Sequence, residues 1–253
     1  MNRVARARAA RRVTGRHTAV VHRLAALLLE YPGPELVERV PLLRAAAAEL
    51  PDHLRTPLDA LVDHVASTPL GDLQSEYVAT FDLRRRCSLF LTYFAYGDTR
   101  KRGVALVEIK QAYRRAGLEP SDDELPDHLC VVLEFASSER DEDREAGIGL
   151  LLEHRAGLEL LRLALLEAGS PWAGALVAVC ATLPPLGGDE HAAVARLAAE
   201  GPPGEEVGLE PFAPPSYLGQ APEPALTGPL AGPGRSVAGT SGPQFLPMPG
   251  VRP

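Results

Sequence analysis

Cysteine is scarce: the 253-residue chain holds three, Cys87, Cys130 and Cys180, far apart and never in a C-x-x-C pair. That excludes a disulfide framework and a structural zinc site as organising devices. Each thiol is expected to act as a small buried hydrophobe. Aromatic residues are only 5% of the chain, and the β-branched residues form no alternating run, so strands have little to be built from. Long apolar runs are missing too. Spanning a bilayer takes roughly 20 apolar residues, and the best stretch near the start, Val20 to Leu29, is broken by His22 and Arg23. The Arg11-Arg12 pair is followed by Val13-Thr14-Gly15, Arg16 and His17, with no apolar segment or small-residue cleavage site, so an export signal is not read. The expected location is the cytoplasm.

Catalytic signatures are absent as well. The chain has no H-E-x-x-H, no G-x-S-x-G and no Walker-type loop. Gly147-Ile148-Gly149 begins like a dinucleotide fingerprint, but Leu152 stands at the third glycine position and no strand precedes it. Three Asp-His dipeptides, Asp52-His53, Asp63-His64 and Asp127-His128, are formal acid-base couples. Adjacent residues on a helix point about 100° apart, so the two members do not face each other. The first two read as solvated helix surface. Asp127 reads as a first-turn residue complementing a helix dipole. No catalytic residue, metal or cofactor of its own is expected.

What is present is helix-forming: alanine, leucine, arginine and glutamate dominate. Residues 1–16 carry six arginines and no acid and are expected as a disordered basic tail. Residues 17–199 hold 18 basic and 28 acidic residues, a balance of −10 that repels nucleic-acid phosphates. From Gly201 onward, 53 residues contain 13 prolines and 10 glycines, so a second disordered tail is expected over 200–253. The body, 17–199, is expected to be one all-α domain, a bundle of about ten short helices. Periodicity places them near 17–30, 34–50, 52–67, from Asp72 as N-cap, from Asp98 to Gly117, from Pro126, and over 141–154, 156–168, 172–182 and 188–199. In the helix after Asp98 the expected buried face is Val104, Leu106, Val107 and Tyr113. In the helix from Pro126 it is Leu125, Leu129, Val132 and Phe135.

Two basic clusters, Arg84-Arg85-Arg86 and Arg100-Lys101-Arg102, read alone as solvated faces. Their surroundings are more specific. The ordered segments Tyr77-Val78-Ala79-Thr80-Phe81-Asp82, Arg85-Arg86-Cys87-Ser88-Leu89, Leu91-Thr92-Tyr93, Gly97-Asp98-Thr99-Arg100-Lys101-Arg102-Gly103, Glu124-Leu125-Pro126-Asp127-His128-Leu129 and Leu133-Glu134-Phe135 resemble the NarJ-type chaperones. These are the nitrate reductase branch of the TorD/DmsD family of redox-enzyme maturation proteins. The resemblance covers about residues 18–186 and takes in Leu28-Leu29-Glu30-Tyr31-Pro32 and Cys180-Ala181-Thr182-Leu183-Pro184.

The resemblance implies an all-helical, non-catalytic, cytoplasmic protein that binds the unfinished catalytic α subunit of a respiratory nitrate reductase while its molybdenum cofactor is inserted. It is not part of the finished enzyme. Glu124, Pro126, Asp127 and His128 match the family's groove motif, with Leu125 standing between acid and proline. Tyr77 and Phe81 match its aromatic helix, lining a peptide groove or packing the core. The expected mode is helix-in-groove, with the N-terminal segment of the α subunit as the bound element. Asp98, Asp127 and Glu134 would pair with basic residues of the client. Arg100, Lys101 and Arg102 would steer an acidic patch or an anionic cofactor precursor. A general helical adaptor without reductase specificity is the competing reading, and an unrecognised helical enzyme a third.

Overall fold

The structure is a computed structural model that describes residues 3–119 and 124–200, with side chains from residue 14 onward. The proline- and glycine-rich stretch expected as a tail lies outside the described residues from 201 on. Twelve α-helices follow one another among the described residues: α1 (Arg3–Leu29), α2 (Pro34–Glu38), α3 (Val40–Ala47), α4 (Asp52–Ser67), α5 (Leu70–Tyr77), α6 (Leu91–Tyr96), α7 (Arg100–Arg115), α8 (Leu129–Phe135), α9 (Asp141–Glu153), α10 (Arg155–Glu167), α11 (Ala173–Thr182) and α12 (Gly188–Glu200). The all-α expectation holds. Pairing of strand type is confined, among the described residues, to one antiparallel bridge between Phe90 and His128.

The departures have local causes. α1 takes in most of the basic stretch 1–16, because alanine and arginine favour helix without any apolar period. The helix expected over 34–50 breaks at Arg39 into α2 and α3. Pro41 has no N–H to give to the carbonyl four residues back. α5 begins at Leu70 after Pro69, so Asp72 sits in its first turn rather than at the cap. α5 then continues as a π-helical turn, Val78–Asp82, and a 3₁₀ turn follows at Arg85–Cys87. α7 is capped by Thr99 rather than Asp98, and Gly117 follows it at φ 74°. α8 starts at Leu129 rather than at Pro126.

α11 is the axis of the core. Ala173, Ala175, Leu176, Ala178 and Val179 are all buried, and α1, α4 and α10 pack around it. Gly174 permits the closest of these crossings: a Cβ there would stand 2.1 Å from the carbonyl oxygen of Pro57 on α4. Gly147 does the same for α9 against α8, where a Cβ would meet the Ala136 nitrogen at 2.5 Å. Two side chains from distant parts of the sequence, and one of its own, then pin α1. Trp172 Nε1 donates to the Leu28 carbonyl at 3.1 Å, and Tyr77 Oη donates to the Leu29 carbonyl at 2.9 Å. Both carbonyls belong to the last turn of α1, where no helical partner exists for them. His22 bonds Ala136 at the end of α8 and Thr182 at the end of α11.

Trp172→Phe keeps most of the buried ring but strands the Leu28 carbonyl. An unsatisfied buried acceptor costs roughly 1–3 kcal/mol, so the denaturant midpoint is expected to drop by an amount equivalent to about 2 kcal/mol. A midpoint within 0.5 kcal/mol (roughly the scatter of surface changes) would show that this cap carries no weight.

Candidate functional site

The bridge between Phe90 and His128 joins two residues 38 apart in the sequence. Leu91 N donates to the Asp127 carbonyl at 3.0 Å, and Leu129 N donates to the Leu89 carbonyl at 2.8 Å. Tyr113 of α7 holds the same turn from beneath, its hydroxyl donating to the Pro126 carbonyl at 3.0 Å. These contacts carry the Asp127 side chain into the interior, where it has no exposed surface at all. Its Oδ2 accepts from the Thr92 N–H at 3.2 Å and from the Thr92 hydroxyl at 2.5 Å. Arg102 completes the group. Its Nε donates to Thr92 Oγ1 at 3.2 Å, its Nη2 lies 3.6 Å from Asp127 Oδ2, and its Nη1 donates to Asp98 at 3.1 Å. The guanidinium also sits 5.3 Å from the centroid of the Phe90 ring, which packs edge-on to the His128 imidazole at 5.2 Å.

The run Gly97 to Gly103 and the run Glu124 to Leu129 are thus parts of one assembly. Gly97 makes the approach possible: its φ of 57° and ψ of −152° suit only glycine and turn Asp98 toward Arg102. Burial pushes the His128 imidazole pKa down, against the opposing pull of Glu124 and Asp127. His128 is therefore a neutral ring at neutral pH, half sunk at the edge of the assembly.

A second feature lies at the end of α1. Glu30 is pushed toward protonation by partial burial and by the repulsion of Glu124 and Glu134, partly offset by Arg39 and Arg23. Three carboxylates, from the residue after α1, the 124–128 turn and α8, therefore share one neighbourhood. Arg23 pairs with Glu134 at its margin. Each of two exposed apolar side chains is the chain neighbour of one of these acids: Tyr31, 55% exposed, and Leu125, 43% exposed. Cys130 lies underneath, its thiol held protonated by burial and by Glu30 and Glu124.

The sequence-predicted residues divide accordingly. Glu124 and Glu134 lie on this acidic rim. Asp127 and Arg102 form the buried assembly beside it, with His128 and the exposed Asp98 at its edge. Tyr77 and Phe81 are core residues, with ring centroids 5.6 and 5.5 Å from that of Trp172. Tyr77 reaches the rim only through Tyr31, edge-on at 5.4 Å. Arg100 and Lys101 are exposed on α7 and join neither group. Leu125 does not share the buried stripe of Leu129, Val132 and Phe135. Thr92, Phe90, Glu30 and Tyr31 belong to the site but were not singled out from the sequence. Thr92, Glu30 and Tyr31 stand in segments already noted for other reasons, whereas Phe90 falls between two of them. Among the described residues, no group of three or more His, Cys, Asp or Glu side chains is placed to hold a metal ion. No described helix is long and apolar enough to cross a membrane.

A family model described as the nitrate reductase delta subunit matches residues 47–178. The nitrate reductase-like protein NarX of Mycobacterium tuberculosis is 39% identical over 168 residues, which is 64% of this chain and 24% of NarX. The probable nitrate reductase molybdenum cofactor assembly chaperone NarJ of Bacillus subtilis is 35% identical over 112 residues, covering 44% of this chain and 61% of that protein. The probable chaperone NarW of Escherichia coli, of the same description, is 34% identical over 150 residues, covering 58% and 60%. The matched region spans about a quarter of NarX and about three fifths of the other two.

Proposed function

This chain belongs to the nitrate reductase delta subunit family, and on that premise we propose that it is a cytoplasmic assembly chaperone for the catalytic subunit of a respiratory nitrate reductase. It holds that subunit, before completion, in a state open to molybdenum cofactor insertion. It catalyses nothing itself and leaves before the enzyme is finished. The bound element is the N-terminal segment of the client, taken as a basic amphipathic helix.

The observation that carries this reading is the acidic rim. Glu30 holds its proton more tightly than usual, first because it is partly buried and then because Glu124 and Glu134 repel its charge. A lysine or arginine arriving among them relieves that repulsion, while Tyr31 and Leu125 offer apolar surface next to it. The Asp127–Thr92–Arg102 assembly holds the 124–128 turn in place from below, so Asp127 and Arg102 act as positioning residues. His128 and Asp98 lie at its edge. Tyr77 and Phe81 support Tyr31 from the core.

Calorimetry with a peptide copying the start of the catalytic subunit tests the reading. Glu30→Gln combined with Glu124→Gln and Glu134→Gln is expected to weaken binding by about tenfold, with a shallower salt dependence, because rim charges steer and orient more than they hold. Wild-type affinity should also fall as pH drops through the raised Glu30 pKa, since the cation favours the ionised form. Equal affinity for the triple variant, or for a scrambled peptide of the same composition, would turn the protein into a general adaptor.

A further inference from the structure

α7 turns the wrong way for its own hydrophobicity. Its buried residues are Ala105, Ile109 and Tyr113, and this leaves Val104 at 61% and Val107 at 55% exposed, with Leu118 at 42% just beyond its end. Arg100, Val104, Val107, Gln111 and Arg114 recur at helical spacing and form one outward stripe, and Leu118 follows beyond the end of the helix. Lys101 and Arg115 flank it. Among the described residues, Arg100, Lys101, Arg114 and Arg115 have no carboxylate within ion-pair distance, whereas Arg102 on the same helix has two. The two cationic pairs stand 14 residues apart, about 21 Å along the axis, with valines between them.

The placement runs against helix electrostatics. The first turn of α7 holds no acid and begins with Arg100 and Lys101, at the end where the helix dipole disfavours positive charge. It also runs against the rest of the body, which is strongly acidic. We infer that the outer face of α7 is a docking surface for an acidic amphipathic helix of a partner protein. Such a helix would bring carboxylates to both ends of the stripe and cover Val104 and Val107 in the middle. This surface is separate from the acidic rim and opposite to it in charge.

Other occupants fit less well. Two copies of α7 face to face would oppose arginine to arginine in either direction. Helices that lie in a membrane surface put bulky apolar groups into it, and the bulky groups of α7, Ile109 and Tyr113, face the core instead.

The test uses the full chain and a fluorescent helical peptide carrying two pairs of glutamates 14 residues apart with leucines between them. Anisotropy should report binding that is lost when those glutamates become glutamines. Arg100→Gln, Lys101→Gln, Arg114→Gln and Arg115→Gln together should weaken it at least about tenfold, and Val104→Ser with Val107→Ser should weaken it independently. Circular dichroism checks that both variants fold, and both should keep wild-type affinity for the basic client peptide. Loss of that affinity instead would point to a damaged rim and overturn the separation of the two surfaces. Equal binding of the acidic peptide by wild type and the charge variant overturns the inference. So does no binding up to about 100 μM. Adsorption to phosphatidylserine vesicles without peptide binding would make the face a membrane contact instead.

Discussion

Asp127→Ala is expected to lose about 3–5 kcal/mol of folding stability, the usual consequence of removing one member of a buried charge pair. The side chain has no exposed surface, and its partner Arg102 keeps only 16% of its own. Without the carboxylate, the Thr92 N–H and hydroxyl lose their acceptor, and among the described residues the guanidinium keeps only Asp98, which is 77% exposed, as an ion-pair partner. The bridge at Phe90 and His128 loses its anchor, and the 124–128 turn loses its fixed position. Asp127→Asn should cost much less, because the amide oxygen still accepts from Thr92. Urea denaturation of the two variants decides the matter. An alanine variant within about 1 kcal/mol of wild type, the range of an ordinary substitution, would mean that the assembly does not hold the turn. The same contrast governs how client binding is to be probed. Weaker binding by the alanine variant would reflect a displaced rim, so only the asparagine variant distinguishes a contact from a support.

That dual position explains why the site was only half legible in the sequence. Gly97 to Gly103 and Glu124 to Leu129 stand out as specific strings, but strings do not say which members turn inward. Asp98 and Thr99 both suit a helix N-cap. Thr99 takes the cap position while Asp98 bonds Arg102, a choice made by the glycine before them and by the buried carboxylate of Asp127. Glu30 lies 94 residues from Glu124 and meets it only because α1 and α8 pack together. No local pattern encodes that meeting.

The helices were more legible, for a reason visible in where they succeeded. α4 falls on the expected range 52–67 because Leu54, Leu58, Leu61, Val62 and Val65 give one unambiguous stripe. In α7 the apolar residues 104–107, 109, 112 and 113 spread over most of the circumference, so hydrophobicity alone does not fix which side faces in. The expected buried face was Val104, Leu106, Val107 and Tyr113, of which Tyr113 is buried and the two valines are not. Arg102, held to Asp127 and Thr92, and Tyr113, held to the Pro126 carbonyl, set the phase instead and leave the two valines outside. A polar anchor overrode an apolar tally, and the surface it left uncovered is the one proposed to dock an acidic helix.

His22 links this architecture to pH. Its ring is fully buried between α1, the end of α8 and the end of α11, and burial pushes its pKa down from 6.5 to about 4, against a smaller opposing effect of its bond to Ala136. A carbonyl only accepts, so Nδ1 carries the hydrogen and donates to Ala136 O at 3.2 Å. Nε2 is then the acceptor facing the Thr182 hydroxyl at 2.9 Å, and that hydroxyl shares its one hydrogen between Nε2 and the Val179 carbonyl. The unfolded chain protonates this imidazole as pH falls through 6.5, while the folded chain resists until about 4. Stability present at pH 7 is therefore lost progressively between those values and falls no further from this group below them. The full span corresponds to about 3 kcal/mol. His128 and His154, also shifted down by burial, add in the same direction. His22→Asn retains a donor for the Ala136 carbonyl but has no proton to gain. Between pH 6.5 and 5, where carboxylates contribute least, its unfolding free energy should fall less steeply than that of the wild type. Parallel curves for the two proteins would place the acid sensitivity elsewhere and leave His22 as a neutral strut whose role is packing alone.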